Sequence, residues 1–352
     1  MEKQRTRQVL KNKTLHIAIL SGGAGERLWP MSQKGMPKPF LKLPYNKSLL
    51  LQSYERCARL VPKSNIWIVT TKSLLKATLS ELPHMRPENM ILEPKGKNTA
   101  PACILATKTI DQSVGGFATV MIVPADHYVP DVDAFAKYVE TMSKRASEGK
   151  SLLTFGMPIR SPDTSFGYIE AKLERKKKRY YTVKRFIEKP NATRAKKYAR
   201  EKNYYWNSGM FCWQTNMFLS EIKKYAPKMY KLFRSKMNLE RLYNQLPNIS
   251  IDYALMEKSA HVEVVPAHFS WSDLGTWSAV YKALAKKDQD NIISSNARVV
   301  EGQGNFVRSE SGKWVIFGLN DLVIVESHGV NLICSKQNSY DLKRLKRLID
   351  KS

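Results

Sequence analysis

Short apolar runs alternate with segments of helical periodicity along the first half of the chain. Each run is rich in Ile, Val and Leu and is bounded by turn residues, which is typical of strands buried in a parallel sheet. The runs are residues 15–20, 66–70, 118–123 and 152–155. Helical segments at 98–110 and 131–150 lie between them. This alternation predicts an α/β fold, with a Rossmann-like mixed, mostly parallel sheet flanked by helices.

The pattern changes after residue 165, where strand-like segments are followed by helical ones up to about residue 260. The strand-like segments are 167–170, 183–190 and 206–213. After residue 290, short β-type runs are separated by Gly, Asn and Ser and end in a basic helix. The expected parts are a basic N-terminal tail (1–14), one large domain (15–288) and a small all-β region with a terminal helix (289–352).

The chain of 352 residues carries a formal net charge of +27, which would suit a nucleic-acid partner. However, its basic residues are scattered, with compact runs at 175–179 and 343–347. Neither an aromatic-interleaved RNA motif nor a helix-turn-helix pattern is present. We therefore expect the charge to attract small anionic substrates, with no nucleic-acid partner.

No apolar run reaches the length of about 18 residues that a membrane span needs, so we expect no membrane partner. The four cysteines are widely spaced, form no CxxC pair and have no zinc-ligand spacing with histidine. We expect them to be buried free thiols in a reducing compartment, which favours a cytoplasmic location.

A glycine-rich turn, Ser21-Gly22-Gly23-Ala24-Gly25, follows the first apolar run. Such a turn lets the backbone approach a ligand, and its free N–H groups can bind an anion. Arg27 and Lys38 follow as candidate cations for a triphosphate; the alternative is an ordinary turn beside solvated surface charges. The turn is neither a Walker P-loop nor a dinucleotide fingerprint, because Leu28 stands where the latter needs its third glycine.

Eight separated motifs follow one another along the chain in a characteristic order. They are residues 21–30, 37–40, 97–101, 124–127, 186–190, 206–211, 252–257 and 271–275. Through these motifs the sequence resembles the sugar nucleotidyltransferases, and among them most the mannose-1-phosphate guanylyltransferases. One departure is Pro39, where many guanylyltransferases of this type have Gln, and it concerns the geometry of the loop around Lys38.

The resemblance implies the nucleotide-diphospho-sugar transferase fold, with a β-helix-like C-terminal region. It implies transfer of GMP from GTP to α-D-mannose 1-phosphate with release of pyrophosphate, Mg²⁺ as the cofactor and a homodimer as the assembly. Two alternatives stay open: a related enzyme for another sugar or base, and a non-catalytic regulatory subunit that binds sugar nucleotides. Intact Arg27, Lys38, Asp126 and Asp273 argue against the regulatory subunit.

The resemblance assigns catalysis to Arg27, Lys38, Asp126 and Asp273, with the two aspartates as Mg²⁺ ligands. One or two carboxylates suffice because substrate phosphates complete the coordination of Mg²⁺, although either aspartate could instead cap a helix. The expected nucleotide-binding residues are Ser21, Gly22, Gly23, Gly25, Asn98, Thr99, Pro124 and Ala125. Among them, Asn98 and Thr99 would lie near the guanine or would simply cap a helix.

The sugar phosphate is expected to bind a second set of residues. They are Gly167, Tyr168, Glu188, Lys189 and Asn207. Glu188 can accept hydrogens from sugar hydroxyls, and Lys189 can hold the phosphate as a point charge. The amide of Asn207 can both donate and accept hydrogen bonds, and Gly167 lets the backbone approach the sugar.

Overall fold

The computed structural model describes residues 14–22, 25–33, 35–44, 46–174 and 178–349. Its helices are α1 (Leu49–Leu60), α2 (Leu75–Glu81), α3 (Thr99–Val114), α4 (Val132–Ala146), α5 (Ala192–Tyr198), α6 (Thr215–Tyr225), α7 (Pro227–Arg234), α8 (Leu239–Gln245), α9 (Trp277–Leu284) and α10 (Leu342–Ile349). There are also 3₁₀ turns, among them Glu26–Leu28 and Lys38–Phe40, and a π-helical turn at Asp252–Met256.

The strands confirm the apolar runs of the sequence and add several short ones. They are β1 (Leu15–Leu20), β2 (Ile66–Thr71), β3 (Met90–Glu93), β4 (Thr119–Pro124), β5 (Leu152–Met157), β6 (Tyr168–Ala171), β7 (Tyr181–Ile187), β8 (Tyr204–Gln214), β9 (Val262–Pro266), β10 (Ile292–Ile293), β11 (Ala297–Val300), β12 (Phe306–Arg308), β13 (Trp314–Phe317), β14 (Leu322–Ser327) and β15 (Val330–Ser335).

The chain divides into two compact units, each built from separated segments. Of the described residues, the first unit contains those up to Ser21, Tyr54–Pro124 and Asp131–Ser270, and the second contains those of Gly22–Ser53, Ala125–Pro130 and from Trp271 onward. The division at residue 288 that we expected from the sequence stays a prediction.

A nine-stranded mixed sheet, in the order β3-β2-β1-β4-β8-β5-β9-β7-β6, forms the centre of the first unit. The strands β3, β2, β1 and β4 are mutually parallel, as the sequence predicted. In the rest of the sheet β5 and β9 are parallel to each other, whereas β8 runs antiparallel to β4, β5 and β6, and β7 runs antiparallel to β6 and β9. The sheet is therefore mixed, as predicted, and β6 and β7 are antiparallel because the link between them, residues 172–180, is too short for the crossover that a parallel pair requires.

Large aromatic side chains fill the core of the first unit between the sheet and the helices. Trp213 on β8 is fully buried and stacks on Phe218 of α6, with ring centroids 4.1 Å apart. Its indole N–H is satisfied by the hydroxyl of Thr107 on α3 at 3.1 Å. This packing fixes β8 against two helices, so the strand carries Asn207 on a rigid support.

The second unit contains the β strands that the sequence predicted after residue 290. From β10 to β14 successive strands alternate between a four-stranded sheet, β10-β12-β14-β15, and a two-stranded parallel sheet, β11-β13; β15 then pairs antiparallel with β14. Trp277 of α9 and Phe306 of β12 are buried in a core that also takes in Leu28 from the glycine-loop segment. The indole of Trp277 donates to the backbone oxygen of Trp29 at 2.9 Å, which orders the chain beside Arg27.

No helix in the described ranges is long and apolar enough to cross a membrane. The four cysteines are free thiols: Cys57, Cys103 and Cys212 are buried, and Cys334 is partly buried. Burial raises the pKa of Cys57 to about 11, so this thiol is unreactive at neutral pH.

Candidate active site

Gly25 brings the glycine-rich turn into contact with Lys38. The residue has a φ of +64°, and a Cβ at this position would lie 2.6 Å from the Cβ of Lys38. Both observations require glycine. The hydroxyl of Ser32 donates to the Gly25 carbonyl at 2.6 Å and closes the turn. A Cβ added at Gly22 would have no atom within 4 Å, and Gly23 lies outside the described residues.

Lys38 lies where three segments of the second unit meet. Its side chain is only 9% exposed, and its ammonium donates to Asp126 Oδ2 at 2.8 Å and to the backbone oxygen of Asp273. Paired backbone hydrogen bonds between Tyr128 and Ser272 hold the last two segments together. The structure therefore brings together three of the four predicted catalytic residues, and we refer to them as the Lys38 cluster.

The charge of Asp126 is maintained by its lysine partner. Burial opposes the ionised form, but attraction to the Lys38 ammonium and to His127, together with the hydrogen bond from Lys38, outweighs burial, so the pKa of Asp126 lies below its ordinary value. The side chain of Asp126 keeps 22% exposure, which leaves the carboxylate accessible from one side. Asp126 is thus an ionised, partly accessible carboxylate.

The residues present fit a divalent cation. The Asp273 carboxylate accepts from the Gly275 N–H at 3.1 Å, and a side chain at residue 275 would collide with it. No group of three or more His, Cys, Asp or Glu within the described ranges forms a complete metal cage. Mg²⁺ does not need one, because one or two carboxylates and substrate phosphates commonly make up its ligands. Asp126 and Asp273 supply that type of donor set.

Arg27 is an exposed cation in the 3₁₀ turn Glu26–Leu28. Its neighbour Glu26 is paired with Lys343 of α10 at 2.9 Å, whereas the guanidinium of Arg27 forms no ion pair with any described carboxylate. Arg27 is not brought into the Lys38 cluster. It is a cation on an ordered turn, and its charge is available to an anionic ligand.

The predicted nucleotide residues of the first unit lie at strand and helix ends. Ser21 follows β1, and its buried hydroxyl has no hydrogen-bond partner among the described residues. Asn98 caps α3 by accepting from Thr99 N at 2.9 Å, and the Thr99 hydroxyl accepts from Ile251 N at 2.9 Å. The helix-cap interpretation of Asn98 is therefore correct, while a further contact to a base stays a prediction.

The boundary between the units falls between two of the predicted residues. Pro124 is the last residue of β4 in the first unit, and Ala125 begins a segment of the second unit. Ala125 is fully buried, so it can offer a ligand only its backbone.

Three predicted sugar-site residues lie together in the first unit, and we refer to them as the Asn207 cluster: Gly167, Glu188 and Asn207. The Asn207 N–H donates to the Gly167 carbonyl at 2.8 Å. A Cβ on Gly167 would lie 2.5 Å from Glu188 Oε2 and 3.4 Å from the Cβ of Asn207. Gly167 is therefore required for the close approach of the other two side chains.

Lys189 and Tyr168 border this cluster in different ways. The Lys189 ammonium pairs with Glu188 Oε1 at 2.9 Å and is 58% exposed, so it can exchange its partner for a ligand anion. Tyr168 is fully buried, and its hydroxyl donates to the backbone oxygen of Asp163 at 2.8 Å. Tyr168 can therefore reach a ligand only through its backbone.

Sequence reasoning gave no role to two residues that hold the Asn207 side chain. The hydroxyl of Thr154 donates to Asn207 Oδ1 at 3.0 Å, and Asp252 Oδ1 accepts from Asn207 Nδ2 at 3.0 Å. Asp252 begins the motif at 252–257 that contributed to the family resemblance, which was the available signal. Thr154 lies inside an apolar strand, and nothing in the sequence around it indicated a role in the site.

Comparison with known protein families gives the family of this chain. A family model described as nucleotidyl transferase matches residues 17–290. The chain belongs to this family. The family resemblance inferred from the motifs is thereby confirmed, and the Lys38 and Asn207 clusters both lie within the matched residues.

Individual relatives cover nearly the whole chain. A mannose-1-phosphate guanylyltransferase from Klebsiella pneumoniae is 33% identical over 341 residues, which are 93% of this chain and 72% of the relative. A structure from Thermus thermophilus, described as a mannose-1-phosphate geranyltransferase, has a TM-score of 0.88 and 29% identity, with coverage of 96% of this chain and 99% of that one. A Helicobacter pylori structure described as a mannose-6-phosphate isomerase has a TM-score of 0.61 and 30% identity over 74% of this chain and 99% of its own.

Proposed function

We propose that this chain transfers GMP from GTP to α-D-mannose 1-phosphate, which yields GDP-mannose and pyrophosphate. The observation that carries the proposal is the Lys38 cluster, in which a buried lysine and two aspartates meet beside a glycine-rich turn. The guanylyltransferase relatives supply the substrates. Arg27 and Lys38 would bind the triphosphate. Ser21, Gly22, Gly23, Gly25, Asn98 and Thr99 stay predicted nucleotide-binding residues.

The reaction needs no general base on the protein. A phosphate oxygen of the sugar phosphate attacks the α-phosphorus, a new P–O bond forms, and the bond to the β-phosphate oxygen breaks. The leaving pyrophosphate takes the electron pair. The nucleophile is a phosphate monoester with a second pKa of about 6, so it is already mostly a dianion at neutral pH. The protein must instead position two polyanions and offset their charge, which is the role of Arg27 and Lys38.

Asp126 and Asp273 would hold Mg²⁺. The ion would supply positive charge to the phosphate oxygens. The low pKa of Asp126 keeps this carboxylate ionised and ready to act as a ligand at neutral pH.

The Asn207 cluster would bind the mannose 1-phosphate. Glu188 accepts hydrogens from sugar hydroxyls, Asn207 donates an amide hydrogen, and Gly167 allows the backbone to approach the ring. Lys189 would leave Glu188 to hold the sugar phosphate, because a dianion attracts an exposed ammonium more strongly than one carboxylate does.

Finer features of the fold and assembly belong to the same proposal. The first unit would be a Rossmann-like nucleotide-binding fold, and the coils of the second unit would form a short β-helix that joins two copies into a homodimer in the cytoplasm. The exposed side chains of Val300, Val315 and Phe317 on the outward face of β11 and β13 would lie in that dimer contact. Phe317→Glu should then shift the protein to a monomer on a sizing column, and an unchanged elution volume would contradict this assembly.

A pyrophosphate-release assay across four nucleoside triphosphates and several hexose 1-phosphates tests the proposed reaction. We expect GTP with mannose 1-phosphate to give the highest kcat/KM. EDTA should abolish turnover and Mg²⁺ should restore it. Preference for another pair would indicate a related transferase, and binding of GDP-mannose without turnover would indicate a regulatory subunit.

Two aspartate variants test the site. Asp126→Asn should lower kcat about 100-fold or more, because it removes a charge that acts on the reacting phosphates. Asp133→Asn is a matched control, since its side chain is 69% exposed and pairs with Arg59 on the surface. Equal activity of the two variants would remove Asp126 from the site.

A further inference from the structure

The amide of Asn207 is held by the protein on both of its ends. Its oxygen accepts from the Thr154 hydroxyl at 3.0 Å and from the Gly209 N–H at 3.1 Å. Its nitrogen donates one hydrogen to Asp252 Oδ1 at 3.0 Å. The oxygen therefore faces the protein, and one N–H hydrogen of the amide is left for a ligand. Asn207 can present a donor to a sugar hydroxyl but not an acceptor.

The segment that supplies Asp252 also holds the neighbouring site residues. The carboxylate of Glu257 accepts from the backbone N–H of Glu188 at 3.1 Å, and the N–H of Ile251 donates to the Thr99 hydroxyl at 2.9 Å. Asp252 is the first residue of the π-helical turn, and Glu257 follows its last residue. Such turns are rare and occur frequently at functional sites. One short segment thus fixes side chains on β8 and α3 and the chain at the end of β7.

We propose that Asp252 is a positioning residue of the sugar site, which orients the Asn207 amide so that its free N–H meets a sugar hydroxyl beside the acceptor Glu188. This inference rests on the proposed function. A donor and an acceptor at fixed separation recognise a hydroxyl, which both donates and accepts, better than two mobile groups do. Asp252 is the partner that holds the donor end of the amide, whereas Thr154 and Gly209 hold its oxygen.

The charges around Asp252 give the proposal a second readout. Glu188 and Lys189 face it from the end of β7, and Cys103 faces it from α3. Burial, and next the negative charge of Glu188, raise the pKa of Asp252 to about 7. As Asp252 ionises above neutral pH, a second negative charge appears beside Glu188 and disfavours a sugar-phosphate dianion. The KM for mannose 1-phosphate should therefore rise through this pH range.

Three variants of the full chain separate positioning from a structural role. Asp252→Ala should raise the KM for mannose 1-phosphate about tenfold, the loss expected for a well-placed hydrogen bond, with little change in the KM for GTP. Asp252→Asn keeps a carbonyl oxygen that accepts from Asn207, so it should restore the KM at pH 7 and flatten its pH dependence. Glu221→Ala is the control, because it removes another buried carboxylate of the first unit, hydrogen-bonded by Ser259.

The outcomes distinguish the inference from the proposed function. A wild-type chain that forms no GDP-mannose would overturn both. An active wild type would overturn the inference alone in any of three cases: Asp252→Ala leaves the KM for mannose 1-phosphate unchanged, it affects that KM no more than Glu221→Ala does, or Asp252→Asn is as impaired as Asp252→Ala. Calorimetric titration of mannose 1-phosphate into each folded variant checks that a KM change reflects binding.

Discussion

Replacement of Lys38 by methionine tests the Lys38 cluster most directly. The side chain of Lys38 is 9% exposed, and its ammonium lies 2.8 Å from Asp126 Oδ2. Methionine keeps most of the length of the side chain but leaves the Asp126 carboxylate without its cation. Loss of one partner of a buried pair costs about 3–5 kcal/mol, and the 22% exposure of Asp126 places the expected loss of unfolding free energy near the lower end, at about 3 kcal/mol.

The reciprocal variant should cost less. In Asp126→Asn the Lys38 ammonium keeps the carbonyl of Asp273 and an amide oxygen as acceptors, so we expect a loss of about 1–2 kcal/mol. The double variant should recover about 2 kcal/mol relative to the sum of the single losses, because no uncompensated charge remains. Urea unfolding of the four proteins at pH 7, followed by circular dichroism, gives this coupling free energy.

The pH dependence of Lys38→Met carries a definite sign. In the wild type the pKa of Asp126 is lowered, so its contribution to stability is present above the unfolded-state pKa and is lost as pH falls through the folded-state pKa. Without Lys38, burial opposes the ionised carboxylate while only His127 and a backbone hydrogen bond still favour it, so the pKa of Asp126 rises relative to wild type and acidification relieves the penalty. The difference between wild type and variant should shrink from pH 7 toward pH 4. Additive single losses, or a difference that is independent of pH, would refute the reasoning.

Three further predictions concern the other groups of the site. Lys189→Ala should raise the KM for mannose 1-phosphate most, whereas Lys38→Ala should lower kcat and weaken the use of GTP. The reason is that a contact made in the transition state acts on kcat, and a uniform binding contact acts on KM. The reverse pattern in steady-state kinetics would contradict the assignment. Gly25→Ala should lose activity and melt at a lower temperature than Gly35→Ala. Both glycines have a positive φ, but of the two only Gly25 lacks room for a Cβ, which would lie against Lys38. Equal melting temperatures of the two variants would exclude this clash with Lys38. Asp252→Asn should gain stability relative to wild type as pH rises from 5 to 8, by on the order of 3 kcal/mol. The reason is that the raised folded-state pKa of Asp252 stabilises the wild type at low pH, and this contribution is lost as pH rises through about 7. Denaturant midpoints of the two proteins that stay parallel across this range would show that ionised Asp252 does not destabilise the fold.

The sequence by itself determined the apolar strands, the glycine-rich turn after β1 and the family. The run at 15–20 matches β1, and the fully apolar run at 118–123 lies within one residue of β4, because buried parallel strands need apolar residues at every position. The requirement for glycine at residue 25 was also predictable, because a sharp turn after a strand is a local property of the backbone. The family motifs gave the nucleotidyl transferase assignment for the same reason: each is a short stretch of adjacent residues.

The tertiary structure alone decided how distant residues meet. Lys38 lies 88 residues from Asp126 and 235 from Asp273, and no local pattern shows that one ammonium binds both. The direction of β8 likewise depends on its sheet neighbours, since an apolar strand has the same sequence pattern in parallel and antiparallel pairs. Asp252 acquires its contact with Asn207 and its raised pKa from burial and from Glu188, which are properties of a packed environment and not of the residues beside it in the chain.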